Sequence, residues 1–140
     1  FRIDAPDEPA LINGNQAQIE QAISNLLDNA LDYTDKGYVA IEICTEEDIV
    51  RIRVSDSGYG IPEHEQPRIW KRFYRGQRVR GLTHSGYGLG LSIVKEIVDL
   101  HHGRVFLQSK ENIGSMFEVI LPMAKVKTTN GVPIERATIR

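Results

Sequence analysis

Asn25, Asn29 and Asp32 recur at i, i+4 and i+7. A helix turns by about 100° per residue, so these three side chains share one face. Each Asn amide has a carbonyl oxygen and an NH2 group, so the pair can hold a hard cation while donating to anionic oxygens. The same stripe would also suit a solvated helix face. A second group, Asp56-Ser57-Gly58-Tyr59-Gly60-Ile61-Pro62, places a carboxylate at the end of an alternating stretch. Its two glycines either admit a closely approaching ligand or simply form a tight turn. A third group, Gly86-Tyr87-Gly88-Leu89-Gly90-Leu91, opens a periodic apolar run. Backbone N–H groups at a helix start favour phosphate oxygens, although glycine there also merely loosens the chain. The G-x-G-x-G spacing differs from the dinucleotide fingerprint, and Tyr87 stands where a P-loop needs its lysine, so both of those readings fail.

The elements that must carry these groups follow from periodicity. Ile19, Ala22, Ile23, Leu26, Leu27, Ala30 and Leu31 recur at helical spacing within Asn15 to Tyr33. Tyr38 to Cys44 and Ile49 to Ser55 alternate as half-buried strands around Thr45 to Asp48, with Arg51 and Arg53 facing away from Val50, Ile52 and Val54. Cys44 is read as core. Asp56 to Ser85 reads as mostly loop with a short helix near Glu63 to Trp70, and loops of that length are commonly functional. A second helix runs through Leu89, Ile93, Ile97 and Leu100 and stops at Gly103, a C-terminal cap. Val105 and Leu107, then Phe117, Val119 and Leu121, form a closing hairpin around Asn112 to Ser115. Two short strands are expected at Phe1 to Asp4 and Ala10 to Gly14. The order predicts an α+β fold, a two-layer sandwich with an antiparallel-rich sheet and its helices on one face.

Length and composition bound the function. One domain fits 140 residues, read as residues 1–124 followed by a polar, basic tail at 125–140 that is expected to be mobile. A formal charge of -2 offers no general attraction for nucleic acid, and one cysteine excludes a disulfide framework or a cysteine-rich zinc site. No apolar run reaches the length of a spanning helix, so no membrane contact is expected of this segment. Phe1 opens the chain without methionine, which suits a piece of a longer protein.

Taken in order, these groups resemble the ATP-binding catalytic domain of sensor histidine kinases, within the gyrase, Hsp90, histidine kinase and MutL superfamily. Asn25 to Thr34 is similar to the N box, Asp56 to Gly60 to the G1 box and Arg72-Phe73-Tyr74-Arg75 to the F box. Gly86 to Leu91 is similar to the G2 box, and Gly114 to Phe117 to the G3 motif. The resemblance implies a Bergerat-type fold and a site for ATP and Mg²⁺. It implies that Asn29 is the metal ligand, that Asn25 contacts phosphate or metal-bound water, and that Asp56 accepts a hydrogen bond from the adenine amino group. Gly58 and Gly60 would let the base approach the backbone. Tyr33 would flank the ring, with Ile61, Leu91 and Phe117 as apolar walls. Gly86, Gly88, Leu89 and Gly90 would bring N–H groups to the phosphates. Tyr74 to Ser85 corresponds to a mobile lid, making Arg75, Arg78 and Arg80 candidates to reach phosphate, while Phe73 and Trp70 would pack its base.

Three residues depart from the family pattern: Asp32 where a basic residue is usual, Tyr87 in place of a small residue, and His102 in place of glycine. The resemblance also implies partners outside this segment. These are a histidine-bearing dimerisation domain of the same parent protein and a downstream response regulator, with this segment expected to be cytoplasmic whether or not the parent is membrane-anchored. By itself the segment is expected to be monomeric and unable to phosphorylate itself. Two alternatives stand beside the kinase reading: a regulatory nucleotide-binding module of a degenerate kinase, and an anti-sigma-type serine kinase.

Overall fold

The computed structural model describes residues 1–76 and 88–125, together with the backbone of 128–129 and 132–133. Strand β1 (Arg2–Asp4) leads to helix α1 (Gln16–Asp32), then to β2 (Val39–Glu46) and β3 (Ile49–Asp56). Helix α2 (Gly90–Leu100) follows, then β4 (Arg104–Lys110) and β5 (Gly114–Pro122). Strands β6 (Thr128–Thr129) and β7 (Val132–Pro133) form a separate antiparallel pair, and the remainder of the expected mobile tail beyond Lys125 lies outside the described residues. The main sheet has the order β1-β2-β3-β5-β4, with β1 and β2 parallel and the other pairs antiparallel. The expected strand at Ala10 to Gly14 is reduced to one bridge between Ile12 and Met123.

Both helices cover the same face of the sheet. Leu26 and Ala30 of α1 and Val94, Ile97 and Val98 of α2 pack onto Val54, Phe117, Val119 and Leu121, which are buried almost completely. The Asn15 side chain caps α1 by accepting the Gln18 N–H at 3.1 Å. Cys44 is not in this core. It is paired with Arg51 across β2 and β3, which puts it on the outer face, because directly opposed strand residues share a side.

That outer face carries a charge lattice. Glu118 meets Arg53 at 2.7 Å and Arg51 at 3.0 Å, while Arg51 also meets Glu46 and Arg53 meets Glu42. Burial pushes the Glu118 carboxyl up, but the hydrogen bonds and charges of Arg53 and Arg51 outweigh it and hold the group below its ordinary value.

Two local expectations fail for identifiable reasons. Residues 63–70 form successive turns rather than a helix, closed by bonds such as Glu65 N–H to Pro62 O and Arg68 N–H to Glu65 O. Pro67 has no N–H to continue a helical ladder. At the end of α2 the left-handed residue is His102, with φ 58°, and not Gly103. The Gly103 N–H returns to Val98 O and the His102 N–H to Asp99 O, the paired bonds of a Schellman cap. Gly103 has a different reason to be glycine: a Cβ there would lie 2.5 Å from Ile120 O.

Candidate functional site

Strand β3 delivers Asp56 to the edge of the core, where it is 5% exposed. Its Oδ1 accepts the Gly58 N–H at 2.9 Å, and the Ser115 N–H donates to the same carboxylate. Burial pushes the Asp56 carboxyl above its ordinary value, and these two donors only partly pull it back. A carboxylate accepts about four hydrogen bonds, so capacity remains for a donor in the adjoining space.

That space is a cavity of about 290 Å³, at the lower end of small-ligand sites. Helix α1 and its C-terminal cap contribute Asn29 and Tyr33 to its lining, and the end of β3 and the turn after it contribute Asp56, Tyr59, Gly60 and Ile61. Ile69, Tyr74 and Arg75 come from the connection toward α2, Leu91 from α2 and Ser115 from β5. Burial raises the Tyr33 hydroxyl pKa, with the Arg75 charge lowering it and the Asp32 charge raising it. Arg75 and the exposed Asp32 therefore both act on the field at Tyr33, beside Asn29.

Seven of the candidate residues thus meet in one cavity: Asn29, Tyr33, Asp56, Gly60, Ile61, Arg75 and Leu91. Others do not line it. Asn25 instead donates its side-chain N–H to Gly90 O at 3.3 Å, fastening α1 to the start of α2. Phe117 is 1% exposed and lies edge-on to Trp70, ring centres 5.9 Å apart at 84°, so it belongs to the core and not to the cavity wall. Trp70 packs against the core, whereas Phe73 is 73% exposed, its φ of 62° set where its N–H donates to Gly88 O. Leu89 precedes α2 and accepts the Ser92 hydroxyl through its carbonyl. Arg78, Arg80 and Gly86, with most of the expected lid, lie outside the described residues.

The glycines serve the chain more than the cavity. A Cβ on Gly58 would lie 2.0 Å from Tyr33 O, and one on Gly60, whose φ is +65°, would lie 2.0 Å from Lys110 O. At Gly88 it would meet Tyr74 O at 2.8 Å. Gly58 is thus required by its contact with Tyr33 O and does not line the cavity, whereas Gly60 borders it.

The cavity also holds residues given no role by the sequence reading, notably Tyr59 and Ser115 within the quoted motifs and Glu65 outside them. Glu65 is 5% exposed, in a run of turns whose sequence has no regular period to mark it as buried. Tyr59 lies between the two glycines after Asp56, and its hydroxyl donates to Asp35.

Residues 14–125 match the family described as histidine kinase-, DNA gyrase B-, and HSP90-like ATPase. The chain is 35% identical over 118 residues to sensor histidine kinase RcsC of Escherichia coli strain K12, covering 84% of this chain and 12% of that protein. It is 37% identical over 122 residues to the adaptive-response sensory kinase SasA of Crocosphaera subtropica, covering 86% of this chain and 31% of that one. Among solved structures, the catalytic domain of histidine kinase ThkA superposes with a TM-score of 0.72 at 31% identity, over 87% of this chain and 78% of that domain. The chain thus spans under a third of the length of these two full-length kinases.

Proposed function

The chain belongs to the histidine kinase-, DNA gyrase B-, and HSP90-like ATPase family, as an ATP-binding catalytic domain of the histidine kinase type, and from that premise we propose how its residues work. The observation that carries the reading is Asp56. A buried carboxylate, clamped by two backbone N–H groups at the cavity floor, is an acceptor matched to the amino group of adenine. It opposes the carbonyl that guanine presents at the same ring position.

Asn29 lines the same cavity from α1, one helical turn before the Tyr33 ring. Among the described residues there is no cluster of three His, Cys, Asp or Glu that would cage a metal. The side-chain oxygen of Asn29 suits Mg²⁺, which binds through few protein oxygens and keeps water and phosphate in its shell. When bound, the metal would neutralise charge on the phosphates. Arg75, at the cavity wall, supplies a protein cation for the same purpose. Among the described residues the start of α2 has no side-chain cap, and its first N–H groups suit phosphate oxygens.

In this reading the domain positions Mg-ATP and donates its γ-phosphate to a histidine on a dimerisation domain of the parent protein, from which a response regulator would receive it. Phosphoryl transfer asks for positioning and electrostatics rather than covalent chemistry from the nucleotide-binding partner. Incubating the chain with Mg-ATP and the parent's excised dimerisation domain should yield acid-labile phosphate on the latter. Nucleotide binding without transfer would instead support the regulatory-module reading. Asp32 favours that second reading, since it sets a carboxylate next to Tyr33 where the family usually has a base. Asp32→Lys should then strengthen metal-free ATP binding relative to adenosine, and equal affinities in both proteins would remove Asp32 from consideration.

A further inference from the structure

We propose that the Tyr59 side chain, fastened by Asp35, closes the base end of the cavity and governs which purine bases fit and how long they stay, making Asp35 a positioning residue. This rests on the adenine-nucleotide reading of the cavity. Tyr59 follows Asp56, the base acceptor, by three residues and lines the same space. Its backbone is fixed from two sides: its N–H donates to Tyr33 O at 3.0 Å, and its carbonyl accepts the Asn112 N–H at 2.6 Å. The turn after β3 is thereby tied to the end of α1 and to the hairpin between β4 and β5. What those main-chain bonds leave free is the rotation of the Tyr59 side chain. The hydroxyl removes that freedom by donating to the Asp35 carboxylate, in the loop after α1. Asp35 is exposed and does not line the cavity, so its effect on a ligand passes through Tyr59.

Both main-chain bonds survive a change of either side chain, so variants keep the loop in place. Tyr59→Phe and Asp35→Ala should each speed the release of ATP labelled on its ribose with a mant fluorophore by about three- to tenfold, the loss expected for one ordinary, solvent-exposed hydrogen bond. The double variant should release it no faster than either single one, because both lose the same bond. Affinity for adenosine should fall by the same factor as for ATP. Tyr59→Ala should improve the affinity of at least one ATP analogue enlarged at N6, C2 or C8 by about tenfold relative to ATP, because truncating a wall makes room. A purely structural role would weaken the whole analogue set alike. Unchanged release in both single variants, multiplicative effects in the double one, or a uniformly weakened analogue set would each overturn the proposal. Failure of the underlying site reading is recognised separately, by Asp56→Asn leaving mant-ATP affinity unchanged, and the proposal then falls with it.

Discussion

Replacing Asp56 with Asn changes one oxygen to an NH2 group in a site that is 5% exposed. The Gly58 and Ser115 N–H groups already donate to this carboxylate, so the amide must keep its oxygen toward at least one of them. The NH2 group is then left facing the cavity, where it meets the adenine amino group donor to donor. A buried polar group without a partner costs about 1–3 kcal/mol, which corresponds to roughly five- to 150-fold weaker ATP binding. Wild type should prefer ATP over GTP by a similar factor, and the variant should lose that preference. The unliganded protein should behave oppositely. Because burial raises the folded-state pKa of Asp56, its stabilising contribution is complete below the unfolded value and is lost as pH rises through the raised one. At neutral pH the charged group therefore weakens the empty fold, so the variant should melt at the same temperature or higher, with its advantage shrinking in acid. ATP affinity of the wild type should fall as the pH drops through that raised pKa. Calorimetric titrations with ATP and GTP, paired with thermal melts across pH, test both halves. Equal affinities for ATP and GTP in the wild type, or unchanged ATP binding in the variant, would refute the assignment.

Asn29→Ala should remove most of the Mg²⁺ enhancement of ATP binding while sparing adenosine, measured by titration with and without metal; an unchanged metal effect would leave Asn29 a polar helix residue. Phe117→Ala should cost about 3–5 kcal/mol of stability by denaturant unfolding, since a fully buried ring set edge-on to Trp70 leaves a cavity behind. A weakened ATP affinity with unchanged stability would return Phe117 to the site wall. His102→Gly should stabilise the fold by roughly 0.5–1 kcal/mol, because His102 sits at φ 58° where a side chain is strained. The melting midpoint should rise by a few degrees, and no rise would mean that the His102 side chain offsets the strain.

The architecture was legible because periodicity reports burial directly. The α1 stripe of Ala22, Leu26 and Ala30 and the alternating Val50, Ile52 and Val54 are the residues that the fold buries. Periodicity says nothing about which of two buried environments a residue enters, so Phe117 was assignable to a ligand wall as readily as to the core. Cys44 misled for a related reason: apolar type suggested the inside, while its register opposite Arg51 decided the outside. The cavity was legible where a motif fixed side-chain direction, as at Asn29 and Asp56. It was not legible where distant segments converge. Glu65 and Ser115 reach the same space from segments far apart in the sequence, and nothing local to either states that they meet.

Around the site, main chain is pressed against main chain at Gly58, Gly60 and Gly114, where an added Cβ would lie 2.0 Å from the carbonyl oxygens of Tyr33, Lys110 and Asp56 respectively. Substitution at these glycines would be recorded in cells first as missing protein rather than as inactive protein, since the loops that shape the site also close the fold. A survey of variants scored by signalling output alone would count them with Asn29 and Asp56. Scored jointly for abundance and output, the two groups separate, with the glycines losing both together and the two polar residues losing output at normal abundance.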